Sequence, residues 1–168
     1  MINHDEALGL LKKYNCNEFI MKHSLAVNKL AIEIAKKLIK RGVKINLELV
    51  DAGSLLHDIG MSVTGLEGKA NHGKIGAEIM VKEGLDNLSG IVGGHGLLAV
   101  FDKYKLKSWE EKIVFYADKI VEKEKTVTLN ERIDSLIKKY PDEIERIKKA
   151  RPLAIKIEKE IMGALNGN

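Results

Sequence analysis

Apolar residues recur at three- and four-residue spacing along almost the whole chain, and only two prolines, Pro141 and Pro152, interrupt its 168 residues. That spacing is the helical one. It stacks side chains on one face of a 3.6-residue turn, whereas a half-buried strand needs strict alternation. No segment alternates well enough to read as a strand. The chain is therefore expected to be all-α, a compact multi-helix bundle. Residues 1–168 are expected to form a single domain, with a core over about 17–123 and C-terminal helices over 128–165.

Capping residues divide the pattern into elements. Asn3 with Glu6 forms a capping box for a short first helix. Asn17 opens a long second helix carrying Ile20, Val27, Leu30, Ile34 and Leu38, which Gly42 stops. Asn46 starts a third that ends in Leu55-Leu56-His57-Asp58-Ile59-Gly60. Residues 61–70 read as a loop, with Gly60, Gly65 and Gly68 permitting sharp turns. Asn71 is expected to cap a fourth helix through Ile75, Ile79 and Met80 to Gly84, and a short fifth holds Ile91, Val92 and His95. Ser108 with Glu111 caps a helix over 109–123, and Thr128 with Glu131 caps another over 129–140. Pro141 suits the first turn of a final helix, which Pro152 should kink or split.

Composition excludes several classes. At 45% hydrophobic and 31% charged residues the chain is globular, not disordered. Aromatics make up 5%, so the core must rest on Ile, Leu, Val and Ala. A net charge of +4 would admit a nucleic-acid partner, but lysines such as Lys36, Lys37 and Lys40 are spread along helical patterns with acids nearby. A solvated Lys/Glu surface is the better reading. The single Cys16 excludes an intramolecular disulfide framework and fits a reducing interior. The N-terminus has no basic region followed by an apolar run, and no apolar stretch approaches the roughly 20 residues of a membrane span. The expectation is a cytoplasmic protein without a membrane partner.

Polar residues inside apolar stretches carry the chemistry. His23 lies in line with Val27, Leu30 and Ile34; His57 and Asp58 follow two leucines; His72 opens a helix; His95 sits among glycines. Asp118 lies within the apolar stretch 113–121. A carboxylate in such a place is costly unless paired or bound to a cation. Imidazoles with carboxylates form a ligand set for transition metals. Taken singly, a buried histidine is more often a hydrogen-bonded core residue, and Asp118 could face water as its neighbour Lys119 is expected to. His4, near the terminus, reads as exposed.

The order His23…His57-Asp58…His72…His95…Asp118 resembles the HD superfamily of metal-dependent phosphohydrolases. The likeness is local as well as ordered: Leu55-Leu56-His57-Asp58-Ile59-Gly60 looks like its HDIG signature, His72-Gly73-Lys74-Ile75-Gly76-Ala77-Glu78-Ile79 like its second histidine segment, and Tyr116-Ala117-Asp118-Lys119 like its closing Ala-Asp. The resemblance implies that His23, His57, Asp58 and Asp118 hold one metal ion. Asp58 would bridge to a second ion held by His72 and His95. The ions would be divalent, iron or manganese before magnesium, cobalt, nickel or zinc. Two such ions about 3.5–4 Å apart share and acidify a water that attacks phosphorus. Asp58 and His57 are then the catalytic residues. Lys69 and Lys74 are candidate phosphate contacts, with Arg132 and Arg151 behind them.

One departure stands out: many HDIG sequences continue with lysine, where this chain has Met61. Other departures narrow the substrate. No GYP signature follows His95, and no Glu-Asp pair follows Asp58 as in the (p)ppGpp hydrolases. The chain is short for a dNTP triphosphohydrolase. Small nucleotide phosphatases and diadenosine tetraphosphate hydrolases remain, so the expected partner is a small phosphorylated molecule of nucleotide type. Two alternatives stay open. One is a mixed-valence di-iron oxygenase using the same six ligands. The other is a silent nucleotide-binding or sensor module. The helices after Asp118 either cover the site or form a homodimer surface.

Overall fold

A computed structural model describes residues 2–65, 71–101, 106–122 and 124–167. Its α-helices are α1 (His4–Lys13), α2 (Glu18–Lys40), α3 (Leu47–Leu56), α4 (Met61–Thr64), α5 (His72–Lys82), α6 (Asp86–Gly94), α7 (Trp109–Lys119), α8 (Leu129–Lys139) and α9 (Ile144–Asn166). The all-α expectation holds. No helix among the described residues is long and apolar enough to cross a membrane.

Most helix starts follow from their caps. Asn3, Asn17 and Asn46 accept amide hydrogen bonds from the first turns of α1, α2 and α3. Ser108 with Glu111 and Thr128 with Glu131 close complete capping boxes on α7 and α8. Asn71 is an exception: its backbone is already helical and its side chain caps nothing.

Four further expectations are corrected. Residues 61–64 form α4 instead of a loop; Gly65, at φ +75°, ends it. The loop's remaining residues, with Gly68 and Lys69, lie outside the described set. Helix α7 stops at Lys119, short of residue 123. The chain then forms β1 (Val121–Glu122), antiparallel to β2 (Lys125–Thr126) with Val121 opposite Thr126. Two-residue strands are too short for alternation to appear in the sequence. Helix α8 ends at Lys139, and Tyr140 is its C-cap. Last, Pro141 opens a 3-10 turn ahead of α9, and α9 runs unbroken through Pro152. Pro152 costs a backbone hydrogen bond, and burial of Ile147, Ala150, Ala154 and Ile161 along the same helix offsets it.

Helix α7 is the centre of the core. All seven residues from Ile113 to Lys119 are buried, with α2, α3, α6 and α9 packed around it. Helices α5 and α6 pack closely as a pair. Two glycines permit the close approaches to α5. A Cβ on Gly76 would stand 2.6 Å from Val92 of α6, and a Cβ on Gly60 would collide with the carbonyl oxygen of His72. Gly60 thus lets the turn after α3 rest directly on the start of α5, which brings His57 and Asp58 towards His72.

Gly60→Ala is expected to lose about 1–3 kcal/mol of stability through overpacking against backbone, together with its metal affinity. Thr128→Ala, at a cap remote from that junction, should cost about 1 kcal/mol and leave metal affinity unchanged. Thermal melts with metal analysis of the two variants check both.

Candidate metal centre

Five elements deliver the six residues. His23 projects from α2; His57 and Asp58 occupy the turn that ends α3; His72 is the first residue of α5; His95 is the C-cap of α6; Asp118 lies near the end of α7. All are buried except His72, which is half-buried. The structure brings together every residue that the sequence pointed to as a ligand.

Asp58 sits between two groups of donors. Its Oδ1 lies 3.2 Å from His95 Nε2 and 3.6 Å from His72 Nε2. Its Oδ2 lies 3.4 Å from His57 Nε2 and 3.8 Å from His23 Nε2. Asp118 Oδ1 joins the second group, 3.0 Å from His23 Nε2 and 3.6 Å from His57 Nε2. His23, His57 and Asp58 could hold one metal ion, and Asp58, His72 and His95 another, since one donor atom from each lies within 4.8 Å of the others.

The donor chemistry fits a cation. His57 Nδ1 donates to the Ser54 carbonyl at 2.7 Å, and His95 Nδ1 donates to the Val92 carbonyl at 2.6 Å. In the neutral rings this leaves both Nε2 lone pairs pointing into the cluster, the arrangement that carbonyl partners impose on metal-binding histidines. His57 Nε2 is buried with no hydrogen-bond partner. His72 and His95 face each other through Nε2 atoms 3.0 Å apart. Buried nitrogens and carboxylate oxygens converging in this way form a mixed N,O set suited to a divalent transition ion.

The electrostatics agree. Burial disfavours charge on His57, but Asp58 and Asp118 outweigh it and push its pKa up to about 10. Burial would likewise raise both carboxyls. His57 and His95 beside Asp58, and Lys119 with His23 beside Asp118, instead hold them well below the usual carboxylate range. His72 moves the other way, down to about 4, through burial and its neighbour His95. The cluster thus keeps both carboxylates ionised and places a proton on His57, where a cation would otherwise bind.

His23, Asp58, His72, His95 and Asp118 of the cluster line a cavity of about 780 Å³. Lys74 lines this cavity but is largely exposed and faces Glu78 at 3.9 Å. Lys69 lies outside the described residues. Arg132 lines the cavity, while Arg151 pairs with Asp134 and does not. Met61 lines it too, so a methionine stands where a lysine ammonium was sought. His4 is exposed, as expected, and meets Asp51 at 3.1 Å.

Lys119 was misread. Expected in water, it is 4% exposed, lines the cavity, and pairs with Asp118 Oδ2. The signal was present in the five consecutive apolar residues from Ile113 to Ala117, which cover more than a full turn. A helix apolar all round is buried all round, so its polar residues are buried with it. Phe19 was also missed as a cavity residue; it is 52% exposed at the cavity wall.

An ordered set of four histidines and two aspartates, gathered by helices beside a cavity, defines an HD-type protein. The chain belongs to the HD-domain family, whose profile matches residues 20–123. Family and cluster together fit a metal-dependent hydrolase in general. An uncharacterised protein of Methanocaldococcus jannaschii is 36% identical over 149 residues, covering 81% of this chain and 83% of that protein. A tRNA (cytidine(56)-2'-O)-methyltransferase of Thermoplasma volcanium is 35% identical over 158 residues, and one of Picrophilus torridus is 31% identical over 160. These matches cover 84% and 88% of this chain but only 44% and 45% of those two proteins. No solved structure gives a significant match.

The proton on His57 competes with a cation. Because the His57 pKa is raised to about 10, the ring stays protonated across neutral pH and must release its proton when a metal binds. Apparent Mn(II) affinity of stripped protein is therefore expected to rise with pH between about 6 and 9, by up to about tenfold per unit. Calorimetry in buffers of different ionisation enthalpy measures both the rise and the released protons; a flat profile would contradict the assignment of His57.

Proposed function

We propose that the protein is a metal-dependent phosphohydrolase that cleaves a phosphate ester or anhydride of a nucleotide-like substrate. One observation carries the reading: the two oxygens of Asp58 face two different pairs of histidines. On this reading His23, His57, Asp58 and Asp118 hold one divalent ion and Asp58, His72 and His95 hold a second, with iron or manganese preferred by an imidazole–carboxylate set. Such ions supply Lewis acidity to a phosphoryl oxygen and lower the pKa of a water.

The chain's own residues do the remainder. The Ser54 and Val92 carbonyls orient His57 and His95. Lys119 holds a desolvated ammonium at the cavity wall. A fixed cation there offsets charge that builds on phosphoryl oxygens without needing to reorganise. Helix α5 begins at the same wall, at His72, Gly73 and Lys74, and the side chain of its N-cap residue Asn71 makes no capping hydrogen bond. The positive end of its dipole therefore favours an anion. Lys74, and Lys69 beyond the described residues, remain candidate outer contacts.

The cavity lining supports an anionic substrate. Lys74, Lys119, Arg132, Lys139 and Arg146 stand against Asp58, Asp118, Glu122 and Glu143, and bound divalent ions would add to the positive side. The volume suits a nucleotide-sized molecule. Residues 1–168 are read as one domain, because α9 packs on α7 and α8 while residues flanking its start line the cavity. The methyl transfer named for two relatives is not carried over, since the match spans under half of each.

Phosphate release is to be screened over nucleotides and dinucleoside polyphosphates, with Fe(II), Mn(II), Co(II), Ni(II) or Mg(II) added in turn. Metal-dependent turnover should vanish in Asp58→Ala along with bound metal. In Lys119→Met, metal should be retained while kcat falls by about 100-fold. Protein that holds metal yet releases no phosphate, and consumes oxygen with substrate, would replace the hydrolase reading with an oxygenase.

A further inference from the structure

Helix α8 turns one face into the cavity. Arg132, Ser135, Leu136 and Lys139 line it, at positions i, i+3, i+4 and i+7 of a single helical stripe. Leu129 and Ile133, on the adjoining face of α8, are buried in the core. This stripe lies after residue 123, outside the stretch matched by the HD-domain profile, and none of its residues belongs to the His/Asp cluster.

Two of its polar groups, Arg132 and Ser135, are half-buried, while Lys139 is exposed at the cavity mouth. Arg132 Nη1 and Ser135 Oγ both donate to Glu122 Oε1, at 3.1 and 2.7 Å. That shared acceptor fixes the guanidinium, whose side chain is only 20% exposed. Arg132 Nε is buried without an acceptor. Two helical turns further on, about 10 Å along the axis, Lys139 reaches the cavity with no carboxylate partner among the described residues. Its ammonium sits 5.2 Å from the Tyr140 ring centroid. Arg146, on the first turn of α9, also lines the cavity and is matched by Glu143 at 3.0 Å. Among the described lining residues, α8 and the segments around it therefore present three cations, Arg132, Lys139 and Arg146, against two carboxylates, Glu122 and Glu143. A phosphate held at the His/Asp cluster would leave that excess without a counter-charge.

We infer that α8 builds a second anion subsite, so that the substrate carries a further anionic group, remote from the phosphorus under attack and separated from it by a nucleoside-sized body. The inference rests on the hydrolase reading for what happens at the near end. The subsite itself is defined by binding. Leu136 and Tyr140 flank the cations with an apolar wall, and Phe19 lines the same cavity, which suits a spacer of that kind.

Hexane-1,6-bisphosphonate and hexylphosphonate test it, because their carbon–phosphorus bonds resist hydrolysis and the two differ only in the remote anion. Calorimetry on metal-loaded full-length protein should show the bisphosphonate binding at least tenfold more tightly. Lys139→Met should remove most of that advantage. So should the paired change Arg132→Gln with Glu122→Gln, which takes away guanidinium and carboxylate together. Both variants should keep their hexylphosphonate Kd within twofold, which also shows that they are folded. Equal affinity for the two probes in the wild type, no binding of either, or a parallel loss of both in the variants would overturn the inference. A persisting bisphosphonate preference without phosphate release from any ester would keep the subsite and remove the hydrolase reading.

Discussion

Everything in the centre of this molecule is arranged around one buried carboxylate. Asp58 is 6% exposed and has imidazole nitrogens on both of its oxygens. An isolated carboxylate at such a depth would be neutralised or expelled. Here it stays ionised because its own neighbour His57, and His95 at the end of α6, face its oxygens. The backbone packing serves this convergence. The turn at Gly60 rests on the carbonyl of His72, and Gly76 lets α5 close on α6. A side chain at either glycine would push apart the elements that carry the histidines, so the packing of the fold and the geometry of the cluster are a single constraint.

The same logic explains Lys119. Helix α7 is apolar around its whole circumference from Ile113 to Ala117, and its last two residues are the charged pair Asp118 and Lys119. Each is costly alone in that position. Together they neutralise one another, and Lys119 also lies 5.5 Å from the Phe115 ring centroid. Breaking such a pair costs more than never having built it. That asymmetry makes the pair a poor device for stability alone, and its place on the cavity wall beside the cluster is the one the proposed phosphate contact of Lys119 would use.

How much of this is legible in the sequence depends on whether the determinant is local. Capping boxes at Ser108 and Thr128 are local, and their helices begin where the residues say. The ligands are legible because each is a polar residue that breaks an apolar pattern. The failures are tertiary. Pro152 lies inside α9 because packing of that helix outweighs a missing hydrogen bond, and nothing within a few residues of Pro152 reports that packing. The hairpin at Val121–Thr126 is shorter than any period that could reveal it. Arg132 and Lys139 sit in a stretch rich in charge that reads as an ordinary wet face. Only the fold shows that this face looks into a cavity.

That last failure separates two kinds of residue in the chain. The cluster residues span His23 to Asp118, within the stretch the HD-domain profile matches, and their pattern is constrained because a buried His/Asp set tolerates few alternatives. Another part of the lining comes from α8 and the first turn of α9, beyond that stretch, where partly or fully exposed Arg, Ser, Lys and Glu can change without disturbing the core. A cavity assembled in this way can keep its reaction centre while altering what reaches it. On the proposed hydrolase reading, the identity of the substrate is to be sought in α8 and the Tyr140 turn more than in the HD motif, because the motif would determine what is done to a phosphate and α8 which molecule presents one.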